Sequence, residues 1–219
     1  MSHSEQENEI IANLTPTQRD LLEQSIYRSS FRKGEIIHRH EEDCIGVIFV
    51  RKGCLAFSVI SEEGREITLF RSEKGESCIL SASCVFDVID PEGYVSAETN
   101  VELDVLPAPI LAQLMRENVQ VECAVYKQAA KQYADILHVM QHIVFFSLEK
   151  RLAIFLKNEY QRQEKLSFSI THEQIARYIG SSREVITRTL NQFSARGLVS
   201  LGRGTVTILN LQGLMDLLS

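Results

Sequence analysis

"ITHEQIARYIGSSREVITRTLNQF" (residues 170–193) holds two short helical patterns separated by Gly180-Ser181-Ser182. Thr171 with Gln174, and Ser181 with Glu184, each have the form of a capping box, so two helices are expected to start about ten residues apart. Ile186, Leu190 and Phe193 fall at i, i+4 and i+7 and predict the buried face of the second helix. The opposite face then carries Arg183, Glu184, Thr187, Arg188 and Asn191, with nothing apolar among them. A solvated, salt-bridged face would account for Glu184 and Arg188 at i, i+4. The three-residue turn before it, however, is the spacing of a helix-turn-helix, whose second helix meets base edges through its N-terminal turn. Arginine can grip guanine O6 and N7, glutamate can accept from cytosine N4, and threonine can touch a thymine methyl. Thr171, Ser181 and Ser182 join that set at the helix starts.

Working outward, "GLVSLGRGTVTILN" (197–210) alternates apolar and polar around Gly202-Arg203-Gly204. It reads as a hairpin whose tip offers Arg203 to a phosphate. Net charge agrees once it is split. Residues 1–145 hold 13 Lys+Arg against 23 Asp+Glu, and residues 146–219 hold 10 against 6. An acidic body with a small basic C-terminal unit fits a regulatory domain joined to a nucleic-acid-binding one. Ser147 is placed to cap the helix "LEKRLAIFLKNEY" that opens this last unit.

The 219-residue chain is 44% hydrophobic and 24% charged, an ordinary globular composition. It has no apolar run long enough for a membrane helix, and its acidic N-terminus lacks the build of a signal peptide. A cytoplasmic protein is expected, with its five cysteines reduced and no membrane partner. After a helical stretch at roughly 10–27, residues 31–107 read as β. Short runs such as "CIGVIFV", "CLAFSVI" and "EITLF" are punctuated by Gly53, Gly64 and Gly75, eleven residues apart. That spacing predicts a small antiparallel barrel or roll and leaves no room for crossover helices. Residues 109–145 turn helical. Met115, Val119, Glu122, Tyr126, Ala129, Tyr133, Ile136, Met140 and Ile143 step by four and three, a heptad seam suited to a two-stranded dimer. The expected class is α+β: an N-terminal antiparallel β-roll, jelly-roll-like (1–108), a long dimerisation helix (109–145) and a C-terminal winged helix-turn-helix (146–219).

Over nearly its whole length the sequence resembles the Crp/Fnr family of bacterial transcription regulators. "GVIFVRKGCLAFSVISEEGREITLFRSEKGE" (46–76) is similar to the family's cyclic-nucleotide-binding-type roll, and "SSREVITRTLNQF" (181–193) to its recognition-helix signature. The resemblance implies a homodimer on a palindromic double-stranded operator, Arg183, Glu184 and Arg188 at the base edges, and RNA polymerase as a partner if the protein activates. It implies no catalytic residues, and nothing in the sequence has the spacing of an enzyme site. A ligand-binding or interaction module without DNA readout is the reading of a different class.

The effector is not named by the resemblance. Family members that bind cyclic AMP hold its ribose with a glutamate and its phosphate with an arginine. Those positions fall here on Leu80 and on Asp90 or Pro91, and no lysine or arginine stands between Lys74 and Arg116. A buried phosphate without its cation is poorly held, so the pattern argues against cyclic AMP. The first cysteine is Cys44, which argues against an N-terminal iron–sulfur cluster. In place of the nucleotide-binding residues stands "GESCILSASCVFDV" (75–88). Its small residues can simply pack a short helix on the roll. Alternatively Glu76, Ser77, Cys78, Ser81, Ser83 and Cys84, with Tyr126 and Tyr133 from the helix, receive a different small effector. A third reading makes Cys78 or Cys84 a redox- or haem-linked sensor. His38 and His40 would share a strand face near Cys44, but such pairs are usually solvated surface and no metal site is assigned.

Overall fold

The structure is a computed structural model that describes residues 9–39, 44–85 and 93–218. Its contacts divide it into two compact units, residues 1–59 with 69–136, and residues 60–68 with 137–219.

The first unit opens with α1 (Glu9–Ala12) and α2 (Pro16–Ser25), separated because Thr15 caps α2 and Pro16 begins it. The strands follow as β1 (Tyr27–Phe31), β2 (Ile36–Arg39), β3 (Val47–Lys52), β4 (Cys54–Ile60), β5 (Glu66–Glu73), β6 (Ser77–Cys78), a 3-10 turn over Leu80–Val85, β7 (Tyr94–Ala97) and β8 (Val101–Leu106). They form two four-stranded sheets in the orders β1-β8-β3-β6 and β2-β7-β4-β5. Gly53, Gly64 and Gly75 lie in the turns that end β3, β4 and β5, all at positive φ. At Gly53 no other residue fits, since a Cβ would lie 2.4 Å from the Asn100 carbonyl oxygen.

The run "VIFV" is apolar throughout because β3 is buried on both faces. Ile48 and Val50 point between the sheets with Leu55, Phe57, Phe70, Val95, Leu103 and Val105. Val47 and Phe49 point the other way, into a cluster with Leu14, Leu22, Leu111, Val121 and Val125 from the helices.

The predicted single helix of 109–145 is two, α3 (Ala108–Glu117) and α4 (Val119–Phe145). The break at Asn118 needs neither glycine nor proline. Its side-chain oxygen accepts from the Gln120 amide at 3.0 Å, and its Nδ2 donates to the Asn13 carbonyl at 3.0 Å and to Gln18 at 2.9 Å. Met115 therefore sits on α3, buried in the first unit, and does not join a seam on α4. Among the described residues no helix is long and apolar enough to cross a membrane.

The second unit contains α5 (Leu148–Gln163), β9 (Ser167–Ser169), α6 (His172–Ile179), α7 (Arg183–Ala195), β10 (Val199–Gly202), β11 (Thr205–Ile208) and α8 (Leu211–Asp216). Its sheet runs β10-β11-β9, with antiparallel pairing on both sides of β11. Leu152, Leu156, Phe168, Ile175, Ile186, Leu190, Phe193 and Val206 fill one core. At about 25 cal/mol per Å2 of apolar surface, burying each of these side chains stabilises the unit by roughly 1.5–3 kcal/mol before ordering costs.

Candidate nucleic-acid interface

The turn between α6 and α7 is held from three directions. Thr171 and Gln174 form the expected capping box at the start of α6. Gly180 closes α6 at φ 64°, a conformation that favours glycine, and a Cβ there would lie 2.9 Å from Ile143. From α5, the Arg151 Nη1 donates to the Ile179 carbonyl at 2.7 Å, placing a cation on the negative end of α6. Burial holds the Arg151 pKa below its ordinary value. The cap of α7 is Ser182, whose hydroxyl accepts from the Val185 amide, and not Ser181. The capping box expected of Ser181 and Glu184 does not form: the cap moves one residue on, where Val185 stands at N3 and cannot reach back, and Ser181 is drawn into closing α6 by donating its amide to the Ala176 carbonyl.

With α7 so fixed, Ile186, Leu190 and Phe193 are completely buried, and Arg183, Glu184, Arg188 and Asn191 are exposed on the other side. Bonds to its own backbone amide and to Ser182, with Arg183 adding a smaller effect, hold the Glu184 carboxyl below its ordinary pKa. It is thus an acceptor at neutral pH. Thr187 is half-buried. Its hydroxyl donates to the Arg183 carbonyl at 2.8 Å and lies 2.9 Å from His172 Nδ1. Because the single hydroxyl proton is used, Nδ1 carries the imidazole proton in this contact. Burial, and then the Arg183 charge, lower the His172 pKa. Sequence reasoning missed His172 and Arg151, which act by positioning and carry no signature beyond following a cap. Arg203 is exposed at the tip of the β10–β11 hairpin, as expected.

Of the 75–88 segment, residues 75–85 are described, and residues 77–82 turn inward. Ser77, Cys78, Leu80 and Ser81 are buried, while Glu76 and Cys84 are exposed. The Ser81 hydroxyl lies 2.6 Å from the Gly46 carbonyl oxygen and 2.8 Å from that of Cys78. Gln132 of α4, which sequence reasoning missed, is 3% exposed and spans the segment. Its Nε2 donates to the Ser77 carbonyl at 2.6 Å and its Oε1 accepts from the Ile79 amide at 3.0 Å. Burial pushes the Cys78 thiol up to about 11. That does not suit Cys78 to a redox role, because the thiolate is the reactive form. Cys78 and Cys84 do not pair, and the expectation of five reduced cysteines is corrected: Cys84 is disulfide-bonded to Cys44. His38 is buried, whereas His40, Asp90, Pro91 and the Ser83 side chain lie outside the described residues.

On α4 the expected seam needs correction at every second position. Ala129 is buried in the core of the first unit, Ile136 packs against Val50, Phe57 and their neighbours, and Ile143 lies against Gly180. The stripe left open is Val119, Cys123, Tyr126, Ala130, Tyr133, Leu137, Met140 and Val144, with Tyr133 half-buried and the rest exposed. Its steps are again four and three, and Leu137 and Val144 are 59% and 68% exposed.

A helix-turn-helix with a hairpin wing and an outward cationic face defines a DNA-binding protein. Residues 150–217 match the model of the Crp-like helix-turn-helix domain. A solved Crp/Fnr-family protein from Eubacterium rectale ATCC 33656 is 37% identical, with a TM-score of 0.88, the match covering 94% of this chain and 96% of that one. The fumarate and nitrate reduction regulatory protein of Vibrio cholerae is 25% identical over 217 residues, 93% of this chain and 84% of its own. The transcriptional regulator SdrP of Thermus thermophilus is 22% identical over 178 residues, 77% and 81% of the two chains. The chain belongs to the Crp/Fnr family of transcriptional regulators.

Proposed function

We propose that this DNA-binding regulator acts as a cytoplasmic homodimer on a palindromic operator, under the control of an effector other than cyclic AMP. Residues 1–108 form the sensing part, 109–145 the dimerisation part and 146–219 the reading part. The observation that carries the reading is the exposed Arg183, Glu184, Arg188 face of α7, opposite a fully buried apolar face. Arg183 and Arg188 take guanine edges, Glu184 accepts from cytosine, and Thr187 and Asn191 touch neighbouring bases. Thr171, Ser181, Ser182 and Arg203 lie against phosphate. Half-sites then stand about one helical turn, roughly 34 Å, apart.

The open stripe of α4 supports a second copy of this chain as its partner. Eight positions at heptad spacing on a helix about 40 Å long suit a two-stranded seam. Leu137→Glu is expected to raise the dimer dissociation constant at least about 100-fold, since each copy loses a leucine from the seam, as read by sedimentation. Leu80 stands in the apolar core where a cyclic-AMP-binding relative needs its ribose-holding glutamate, which supports a different effector at the segment of Glu76, Ser77, Cys78, Ser81, Ser83 and Cys84 with Tyr126 and Tyr133. RNA polymerase is a further partner if the bound protein activates.

The deciding experiment is fluorescence anisotropy on palindromic and scrambled duplexes at fixed salt. Arg183→Ala and Arg188→Ala should each cost about 1–3 kcal/mol and relax base preference, whereas Arg203→Ala should weaken all duplexes alike. Unchanged DNA affinity in all three variants would remove the assignment.

A further inference from the structure

We propose that Cys44 and Cys84 form a reversible exchange site for small thiol–disulfide couples, which ties and releases the segment beneath Gln132. The two are joined with their Cα atoms 6.1 Å apart and 40 residues between them in the chain. The bond links the approach to β3 with the last turn of the 3-10 segment Leu80–Val85. Cys84 is exposed and Cys44 half-buried, so a dissolved thiol or disulfide reaches the first more readily than the second.

The reduced pair is provided for as well. The Cys44 sulfur lies 3.5 Å from the Ser81 carbonyl oxygen, an acceptor for its S–H once the bond is opened. The Ser81 hydroxyl, whose one proton is shared between the Gly46 carbonyl at 2.6 Å and the Cys78 carbonyl at 2.8 Å, keeps the same two segments together without the disulfide. Neither state leaves that junction unmade, which is what reversibility requires. Cys78 does not compete, being buried with its thiol pushed up to about 11.

The oxidant is a small dissolved disulfide, which meets Cys84 at the exposed surface. The Cys84 thiolate attacks one sulfur of a small disulfide RSSR, forming a mixed disulfide and expelling RS−, which takes up the thiol proton. The Cys44 thiolate then attacks the Cys84 sulfur and expels the second RS−, protonated in turn. Two protein thiols lose two electrons and one RSSR becomes two RSH.

The consequence reaches α4. Ser77 and Ile79, whose backbone Gln132 holds, lie in the same segment as Ser81 and Cys84. Any effect on DNA affinity rests on the function proposed above, and the exchange itself does not.

The test equilibrates the full-length protein across reduced-to-oxidised glutathione ratios, followed by acid quenching, alkylation in denaturant and peptide mapping. Expected is loss of two of five thiols, linked as Cys44–Cys84, following the square of reduced glutathione and fully reversible. Cys44→Ser should accumulate one glutathione on Cys84, and Cys123→Ser should behave as wild type. Hydrogen exchange of amides in residues 77–84 should accelerate at least tenfold on reduction. A pair that stays oxidised in pure reduced glutathione, or thiol loss only at Cys123, overturns the site. Exchange rates unchanged on reduction overturn its reach into the segment. If operator affinity follows the ratio in wild type and not in Cys44→Ser, the switch acts on DNA. If DNA is never bound specifically while the thiol titration holds, the DNA reading alone fails.

Discussion

The recognition turn and the segment of residues 75–85 use polar side chains in opposite senses. In the first, backbone groups are satisfied locally, by Thr171, Gln174, Ser182 and Arg151, and the charged side chains of α7 are left outside. In the second, the polar side chains themselves face inward, and Ser81 and Gln132 are consumed in holding backbone. An outward face can be altered at little cost in stability but at a large cost in binding. An inward network behaves the other way round, because each buried donor or acceptor left alone costs about 1–3 kcal/mol.

The sharpest break of this comparison is Gln132→Leu, which strands the Ile79 amide and leaves the Ser77 carbonyl with only the longer contacts, 3.4 Å each, from Ser72 and Gln128. It should lower stability by about 1–3 kcal/mol in urea unfolding, while Arg188→Ala, on the exposed face, stays within about 0.5 kcal/mol of wild type. Equal losses in the two would mean that the inward network is not what holds the segment. Next in size is Thr171→Ala, which removes one cap of the recognition turn. About 1 kcal/mol should be lost from the second unit, with α6 amides exchanging faster.

The smallest effect is that of pH. His172 is held below its ordinary pKa of 6.5 by burial and by Arg183. The fold therefore binds fewer protons there than the unfolded chain. The stability this contributes is fully present above pH 6.5 and is lost as pH falls through the folded value. His172→Gln should flatten that acid-side slope in thermal melts, without changing stability at pH 8.

How much of this could be read beforehand varies with how many residues compete for a role. Ile186, Leu190 and Phe193 have no apolar neighbours on the opposite face, so the two sides of α7 were legible from spacing alone. Ser181 and Ser182 are adjacent and equally able to cap, and only the closure of α6 decides between them. On α4 the difficulty is doubled. Ala129-Ala130, Ile136-Leu137 and Ile143-Val144 are adjacent apolar pairs, one member facing the protein's own core and the other open. Two stripes, each at heptad spacing, overlap at Val119, Tyr126, Tyr133 and Met140, and no periodicity separates them. Gln132 follows Lys131 and is itself polar, so the pattern gave no hint of its burial. Cys84 gave no sign of its partner, which is forty residues distant. Three-dimensional closure of the roll, and not local pattern, brings Cys44 there.

Cys78 gives the roll a clock. A sulfur with no exposed surface and a thiol displaced to about 11 cannot meet a maleimide while the sheets are closed. Its labelling under native conditions therefore waits for opening, and the labelling rate at saturating reagent is the opening rate itself. Followed at Cys78 by peptide mapping, which separates it from Cys54 and Cys123, the reaction reports how often the first unit opens, and any molecule that binds the closed roll will register as a slowing of it.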